Sequence, residues 1–168
     1  MIQIREIREG DAEKFLALCH QLDRETQFML LEPGERLITV EAQRERIKSI
    51  HARDNRIILI AEGRQGQLVG YLSATGGDYK RNRHTVYLVI GILQGFAGQG
   101  IGTQLFTQVE KWARTRDIHR LELTVMVHNE RAVNLYQKMG FEIEGVKKHS
   151  LRVNDEYVDE YEMAKLLL

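Results

Sequence analysis

The sequence contains very little cysteine and proline. Among its 168 residues there is one cysteine, Cys19, and one proline, Pro33. A single cysteine cannot form a disulfide within the chain, and Cys19 falls on the apolar stripe of a predicted helix, where a free thiol is usually a small buried hydrophobe. The six histidines show no spacing such as His-x-x-x-His that is typical of metal ligands. We therefore expect neither a disulfide nor a metal site.

The chain also lacks an excess of charge of either sign and lacks long apolar runs. Its 24 basic and 24 acidic residues cancel, and no block of like charges predicts binding to nucleic acid or to an anionic membrane. No segment approaches the roughly 20 apolar residues that cross a bilayer, and the amino terminus lacks the apolar core of a signal peptide. These absences predict a cytoplasmic protein, and the length is most simply that of one domain, 1–168.

Glycine is concentrated at one junction, between an apolar strand pattern and a helical pattern. The strand pattern covers 86–93, the glycines are Gly98, Gly100 and Gly102, and apolar residues recur at helical spacing from Ile101 onward. Glycine lets the backbone turn tightly and approach a ligand, and the first amides of a helix are unpaired donors at the positive end of its dipole. The junction therefore predicts a site for phosphate.

Two common phosphate loops do not fit this junction. A Walker loop needs a lysine directly after its last glycine, but Thr103 follows Gly102, so a nucleotide hydrolase is disfavoured. The dinucleotide fingerprint needs a third glycine three positions after its second, where this chain has Thr103 or Leu105. A nicotinamide or flavin enzyme is therefore disfavoured. An ordinary glycine-rich turn from strand to helix stays open as an alternative.

A second stretch, 121–141, has the pattern of a strand, a helix cap, a short helix and a glycine stop. Apolar side chains alternate with other residues from Leu121 to Val127, which predicts the strand. Asn129 suits the N-cap of the following helix, and Gly140 suits its C′ position. The apolar stripe of that helix consists of Ala132, Leu135, Tyr136 and Met139.

Together, the two stretches resemble the GNAT superfamily of acyl-CoA-dependent N-acetyltransferases. The hallmark of that family is a strand, the glycine loop, a helix, another strand and then Asn…Leu-Tyr…Gly-Phe. The resemblance is tight from about Val89 to Phe141. One departure is Ala97, which stands where the family's loop usually opens with Gln or Arg. This position therefore offers no polar side chain, whereas the main-chain donors of the loop are unaffected.

The order of the other predicted elements looks like that of the family as well. Strands are predicted at 2–8, 57–61, 68–73, 142–151 and 157–165, and helices at 11–23 and 39–52. This mixture predicts an α/β or α+β domain with a mixed sheet. The resemblance implies a mostly antiparallel sheet of about seven strands, splayed at the cofactor site and flanked by about four helices.

The resemblance also implies that acetyl-CoA is the co-substrate. Its pantetheine arm is expected along residues 90–92 like an extra strand, and its diphosphate on the glycine junction. Gly91 has a second interpretation, a bulge in the strand. The predicted contact residues are Ile90, Gly91, Ile92, Ala97, Gly98, Gln99, Gly100, Ile101, Gly102, Thr103, Asn129 and Tyr136.

Acetyl transfer needs a neutral amine, stabilisation of the oxyanion at the thioester, and protonation of the departing thiolate. Tyr136 matches the tyrosine that many family members use as the acid, and a phenol with a pKa near 10 can give a proton to a thiolate. The alternative is that Tyr136 only completes the helix stripe. Asn129 is an N-cap, a contact to the acetyl-CoA arm, or both. The oxyanion is expected to meet main-chain amides near Ile92.

The general base is the least determined of these roles. Some family members carry a glutamate on the strand five residues before the asparagine, but Thr124 stands there. The candidates are Glu122 on the same strand face, His84 at the start of the strand before the loop, and Glu25 after the first helix. Each has the alternative of a structural or solvated polar residue.

These residues predict an N-acetyltransferase that moves acetyl directly from acetyl-CoA to a primary amine of a small metabolite, of the amino-acid or polyamine type. Acidic residues that could attract a cation motivate this choice, namely Asp23, Glu25, Glu32 and Glu35. Acetylation of a protein or peptide amino terminus is an alternative that requires an open groove. A catalytically silent acetyl-CoA-binding module is another, and Tyr136 argues against it. A homodimer is expected from the resemblance alone.

Overall fold

In the computed structural model, which describes residues 1–168, seven strands form one sheet. The strands are β1 Gln3–Glu6, β2 Arg56–Glu62, β3 Leu68–Gly76, β4 Thr85–Ile92, β5 Arg120–Met126, β6 Glu142–Val153 and β7 Glu156–Leu166. The helices are α1 Ala12–Glu25, α2 Val40–His51, α3 Ile101–Thr115 and α4 Glu130–Lys138. The strand order is β1-β2-β3-β4-β5-β7-β6, and only β4 and β5 are parallel neighbours. The predicted mixed, mostly antiparallel sheet with four helices is confirmed.

Helices cover both faces of the sheet, and strand β2 shows how. Ile57 and Leu59 pack into an apolar cluster with α3 and α4, whereas Ile58 and Ile60 pack into a second cluster with α1 and α2. A strand that is buried on both faces has no polar side, which explains its continuous apolar run in the sequence. Cys19 of α1 lies in the second cluster, where burial raises the pKa of its thiol to about 11. None of the four helices combines the length and apolar content that a bilayer crossing requires.

Local signals in the sequence account for several element ends. Asn129 caps α4 by accepting a hydrogen bond from the Ala132 amide (3.4 Å), and Gly140 follows the helix with a φ of +94°. Asn154 and Asp155 form the turn between β6 and β7, and both have the positive φ that a two-residue hairpin turn favours. The predicted cap, glycine stop and hairpin turn are confirmed.

Strands β4 and β5 pair over only three residues and then separate. Their parallel ladder joins Thr85–Tyr87 to Arg120–Glu122, and no pairing between them follows. Residues 88–92 of β4 and 123–126 of β5 keep their outer partners, β3 and β7, and leave a gap between the two strands. We call this gap the wedge and its closed end, at the last paired residues, the apex. The predicted splay of the sheet is confirmed, and the open end of the wedge lies toward the loop that leads into α3.

Candidate acyl-transfer site

Free main-chain amides line the loop between β4 and α3. The Ala97 amide donates to the Gln94 carbonyl, and the Gln104 amide donates to the Gly100 carbonyl, at 3.1 Å each. Between them, the six consecutive amides of residues 98–103 donate to no acceptor within the protein. Because they lead into a 15-residue helix, the positive end of its dipole adds to their attraction for an anion. We call residues 98–103 the cradle.

Two glycines of the cradle are required by backbone conformation and the third by packing. Gly98 and Gly100 have φ values of +77° and +80°, and a Cβ added to either would meet nothing within 4 Å. Glycine is therefore needed for the left-handed conformation, and the space above both residues is open to a ligand. A Cβ on Gly102 would lie 2.7 Å from Cδ2 of Leu135, so this glycine lets α3 approach α4 closely.

Gly91 of β4 also allows a close approach. Its pairing with Tyr71 of β3 belongs to a register that runs without a shift as far as Ile92, so the bulge considered from the sequence is absent. A Cβ on Gly91 would lie 2.8 Å from Cδ1 of Leu22. The glycine thus allows α1 to lie directly over β4 beside the wedge, and its contact with acetyl-CoA stays a prediction.

The edge of β4 that faces the wedge carries further main-chain donors. The Leu93 amide donates to the Val69 carbonyl of β3 at 2.9 Å. Successive amides of a strand point in opposite directions, so those of Ile92 and Ile90 point away from β3 and into the wedge. An extended chain in the wedge would find these donors, and so would an oxyanion formed beside them.

Tyr136 of α4 combines a packed ring with an unpaired hydroxyl. Its ring lies edge-on to Phe106 of α3 with centroids 5.5 Å apart, and the residue is only 7% exposed. The Tyr136 hydroxyl has no hydrogen-bond partner within the protein. It is not one of the fully buried side-chain atoms that lack a partner, so its oxygen keeps some contact with solvent. Burial first, and then the nearby phenol of Tyr87, raise the pKa of Tyr136 above its usual value. The side chain therefore packs in the core and also presents a protonated hydroxyl.

Glu25 joins α1 to the loop that precedes the cradle. Its carboxylate Oε1 accepts a hydrogen bond from the Gln94 amide at 2.7 Å, and its carbonyl accepts one from Gln94 Nε2 at 2.9 Å. Because Glu25 ends α1 and Gln94 follows β4, the two contacts hold the loop against the helix. This geometry describes a positioning residue, and a role of Glu25 as the base stays a prediction.

The other two base candidates lie at the apex and beyond it. Glu122 is the register partner of Tyr87 at the apex, and its carboxylate accepts a hydrogen bond from Arg120 Nε at 2.8 Å. His84 precedes β4 on the far side of the apex. At about 3.3 Å per strand residue, it lies roughly 20 Å along the strand from Ile90. The structure thus brings Glu122 to the apex and leaves His84 outside the wedge.

The acidic residues near α1 are engaged in shaping the following loop. Asp23 is buried and accepts two hydrogen bonds from Arg36, at 2.8 and 3.0 Å, which raise the pKa of that guanidinium. The Glu35 carboxylate accepts a hydrogen bond from the Glu32 amide at 2.7 Å. These contacts hold the loop 26–39 onto α1, so three of the four carboxylates expected to attract a cation already have partners.

A different set of acidic residues lies beside the wedge. Glu160 and Glu162 of β7 are the register partners of Met126 and Thr124 of β5, and they share the sheet face that carries Glu122. Arg120 is the only cation that forms ion pairs with this set, and it is shared by two of its members. We call this set the acidic face, and its members are Glu122, Glu144, Glu160 and Glu162. No group of three His, Cys, Asp or Glu side chains is placed to hold a metal ion.

Two contacts at the wedge were not anticipated from the sequence. Tyr87 Oη and Thr124 Oγ1 are 2.8 Å apart, so they join β4 to β5 across the gap. Phe28 of the loop 26–39 lies against His128, which follows β5, with ring centroids 5.2 Å apart. Strand alternation is the one sequence signal that could have assigned Tyr87 and Thr124 to a face, and nothing local could have paired them.

A sheet split beside a helix start that offers free amides can hold an extended ligand with an anionic end by main-chain contacts, as the resemblance implies for acetyl-CoA. The chain belongs to the acetyltransferase (GNAT) family, whose model matches residues 16–141. The predicted family is confirmed.

The chain is similar to acetyltransferases that are named for different acetyl acceptors. It is 37% identical over 106 residues to the L-amino acid N-acetyltransferase AaaT of Escherichia coli (strain K12), a match of 60% of this chain and 63% of that protein. The chain thus spans less than two thirds of that relative's length. A GNAT-family acetyltransferase structure from Streptococcus pneumoniae is 33% identical, with a TM-score of 0.95 over 100% of both chains. A ribosomal-protein-alanine N-acetyltransferase structure from Brucella melitensis is 28% identical, with a TM-score of 0.85 over 98% of this chain and 99% of that one.

Proposed function

We propose that this protein transfers the acetyl group of acetyl-CoA directly to a primary amine of a small metabolite, of the amino-acid or polyamine type. The observation that carries the proposal is the continuity of main-chain donors from the cradle into the wedge. Amides 98–103 have no partner in the protein, and those of Ile90 and Ile92 point into the gap. One extended ligand with an anionic end would satisfy both sets.

The residues present fit acetyl-CoA. The open space above Gly98 and Gly100 accommodates a diphosphate against the cradle. The gap between residues 88–92 and 123–126 accommodates a pantetheine arm that lies beside β4 in the position of an additional strand. The thioester supplies an activated acyl group, and the amides of β4 stabilise negative charge at its carbonyl oxygen. Ala97 takes no part through its side chain, since a methyl group donates no hydrogen bond.

Tyr136 serves as the acid in this proposal. Its raised pKa keeps the phenol protonated at neutral pH, and its hydroxyl has no competing partner. The proton moves to the thiolate as the carbon–sulfur bond breaks, because the thiolate has the greatest proton affinity at that moment. Asn129 uses its side-chain oxygen for the helix cap, which leaves its side-chain NH2 group to donate to the acetyl-CoA arm.

The acidic face supports an amine as the acceptor. An alkyl amine is an ammonium ion at neutral pH, and a negative surface raises its local concentration. Glu160 and Glu162 form no ion pair in the structure, so their charge acts on the solution beside the wedge. Between the two acceptor types, this charge favours a polyamine, which is cationic at both ends, over an amino acid with its carboxylate. The ammonium ion loses a proton through water or to Glu122 before its nitrogen attacks the thioester carbonyl, because only the neutral amine is a nucleophile.

The contact between Phe28 and His128 supports a small acceptor over a peptide. It brings Phe28 of the loop 26–39 against His128, which follows β5, so the loop covers this end of β5. A peptide amino terminus needs an open groove there. The similarity to AaaT agrees with a small amine, whereas the similarity to the ribosomal-protein-alanine enzyme keeps the peptide alternative in the test.

The experiment is thiol release from acetyl-CoA with a matched panel of acceptors. The panel contains amino acids, linear polyamines and short peptides with an amino-terminal alanine. We expect turnover with a small amine and little with peptides. Turnover with peptides alone would replace the proposed acceptor class, and tight acetyl-CoA binding without turnover on any amine would identify a silent binding module.

The one-domain organisation, the cytoplasmic location and the homodimer stay predictions. Cell fractionation checks the location, limited proteolysis checks the domain count, and light scattering of the purified protein checks the oligomeric state.

A further inference from the structure

The apex of the wedge is closed by a pair of hydroxyl groups. Tyr87 is the last β4 residue that pairs with β5, and two residues beyond its register partner lies Thr124. Their side-chain oxygens are 2.8 Å apart, so the pair spans the two strands where the ladder ends. On the opposite face, Leu88 and Leu123 are 2% and 3% exposed and belong to the apolar core. The apex is therefore bounded by side chains on both faces.

The direction of the ligand follows from the proposed function, on which this inference rests. With the diphosphate at the cradle, a chain that enters the open end of the wedge runs toward the apex. Its thioester passes the amides of Ile92 and Ile90, and its acyl group lies nearest Tyr87 and Thr124. The acyl group is thus the part of the ligand that meets the closed end.

We propose that the Tyr87–Thr124 hydrogen bond sets the length of the acyl group that the site accepts, and that it admits acetyl and excludes longer chains. An added methylene would have to displace the hydroxyl pair or lie against it. Separating the pair beside an apolar chain leaves two hydroxyls without their partner, which is costly where water has been displaced. A difference of one methylene in a shaped pocket typically changes discrimination by about 10- to 200-fold.

The pair suits this role because it contributes little to the stability of the fold. Tyr87 is 41% exposed, so in the free protein water can replace the lost hydrogen bond, whereas a bound thioester would displace that water. Loss of the hydrogen bond should therefore change acyl selectivity more than it changes the melting temperature. Tyr87→Phe and Thr124→Val keep most of the volume and remove the hydrogen bond, whereas Tyr87→Ala opens the space itself.

The test is calorimetric affinity for acetyl-, propionyl- and butyryl-CoA in the absence of any acceptor. We expect the unmodified protein to prefer acetyl-CoA over butyryl-CoA by about 10-fold or more. The preference should shrink in Tyr87→Phe and Thr124→Val and approach unity in Tyr87→Ala. Tyr79→Ala, at a residue 76% exposed in the segment before β4, is the control and should keep the preference.

Two outcomes overturn the inference while acetyl-CoA still binds. One is equal affinity of the unmodified protein for all three thioesters, and the other is an unchanged preference in Tyr87→Ala. Absence of any acetyl-CoA binding would instead remove the proposed function. Absence of thiol release with every amine would remove the activity and leave the affinity measurements as the test of the pair.

Discussion

The cradle and the acidic face offer opposite kinds of contact to a ligand. The cradle is six consecutive residues whose backbone amides are free, and none of its side chains is charged. The acidic face offers carboxylates from three strands, β5 and the hairpin of β6 and β7, so its residues are not consecutive in the sequence. A main-chain site tolerates side-chain change as long as glycine geometry is kept. A side-chain site can change specificity with single substitutions, so one family can keep its donor and vary its acceptor.

The charge of the two regions differs in the same way. The cradle presents the positive end of a helix dipole, and the acidic face presents carboxylates with one shared arginine. The wedge thus runs between a region that would attract an anion and one that would attract a cation. An anionic donor and a cationic acceptor would therefore approach from different sides, which makes substitutions on the two sides separable by experiment.

The largest expected effect concerns Tyr136, the proposed acid. Tyr136→Phe keeps the packing against Phe106 and removes the proton, so turnover should fall about 100-fold or more while acetyl-CoA affinity stays nearly constant. Since the pKa of Tyr136 is raised, its proton is retained to higher pH, and the parent enzyme should lose no activity through this group below about pH 10. Steady-state kinetics across pH check both points. An unaltered rate would remove Tyr136 as the acid, and Tyr79→Phe is the control.

Asp23→Asn should weaken binding of the amine and leave binding of acetyl-CoA unchanged. Asp23 is buried and holds Arg36, so the substitution leaves an arginine without its counter-charge and lowers the free energy of unfolding by about 3 kcal/mol. The loop 26–39 then loosens, and KM for the amine rises while acetyl-CoA affinity is kept. Thermal unfolding and kinetics measure this. Glu41→Gln, in an exposed pair with Arg44, should change little, and an equal effect of both variants would contradict the role of the buried pair.

Gly100→Ala should disturb the cradle alone. The left-handed φ costs an alanine about 1–2 kcal/mol. This cost should lower the free energy of acetyl-CoA binding, lower the free energy of unfolding, or be divided between the two. Gly95→Ala is the matched control, because that glycine has no positive φ and has open space for a methyl group. Calorimetry and thermal unfolding are measured together. The same loss in both variants would show that the loop is sensitive to any methyl group.

Substitutions of Glu25 test whether this residue, which holds the loop before the cradle, is a base or a positioning group. Glu25→Gln keeps an oxygen that can accept from the Gln94 amide, whereas Glu25→Ala removes it. A positioning role predicts near-normal turnover in Glu25→Gln and an affinity loss of about 3- to 10-fold in Glu25→Ala, from one missing hydrogen bond. Turnover and affinity of the two variants are compared. If the glutamine variant is as inactive as a base-deleted enzyme, Glu25 is the base.

The smallest expected effect concerns the charge of the acidic face. Glu162→Gln should raise KM for a polyamine about 2- to 3-fold at low salt, and the difference should shrink at high salt, because exposed charges are screened. KM measured at two ionic strengths checks this, with Glu45→Gln on α2 as the control. A KM for the polyamine that stays unchanged at both salt concentrations would remove Glu162 from acceptor attraction.

Much of the donor side could be predicted because its signals are local. Glycines at Gly98 and Gly100, an apolar strand pattern before them and a helical period after them all lie within one short segment. Even there, the sequence did not distinguish the reasons for each glycine. Gly102 and Gly91 serve contacts with Leu135 and Leu22, and those partners become visible only when the helices are packed.

The sequence by itself determined the elements and the glycine junction, since these depend on periodicity, caps and backbone freedom among near neighbours, and its resemblance to a family implied the splayed sheet. Tertiary structure alone decided that Tyr87 meets Thr124, that Glu25 holds Gln94, and that β7 lies between β5 and β6. The physical reason is that alternation along a strand indicates which of its residues share a face, but it does not indicate which other strand will pair with it. Side chains from strands that are distant in the sequence come into contact only once the order of the strands in the sheet is established.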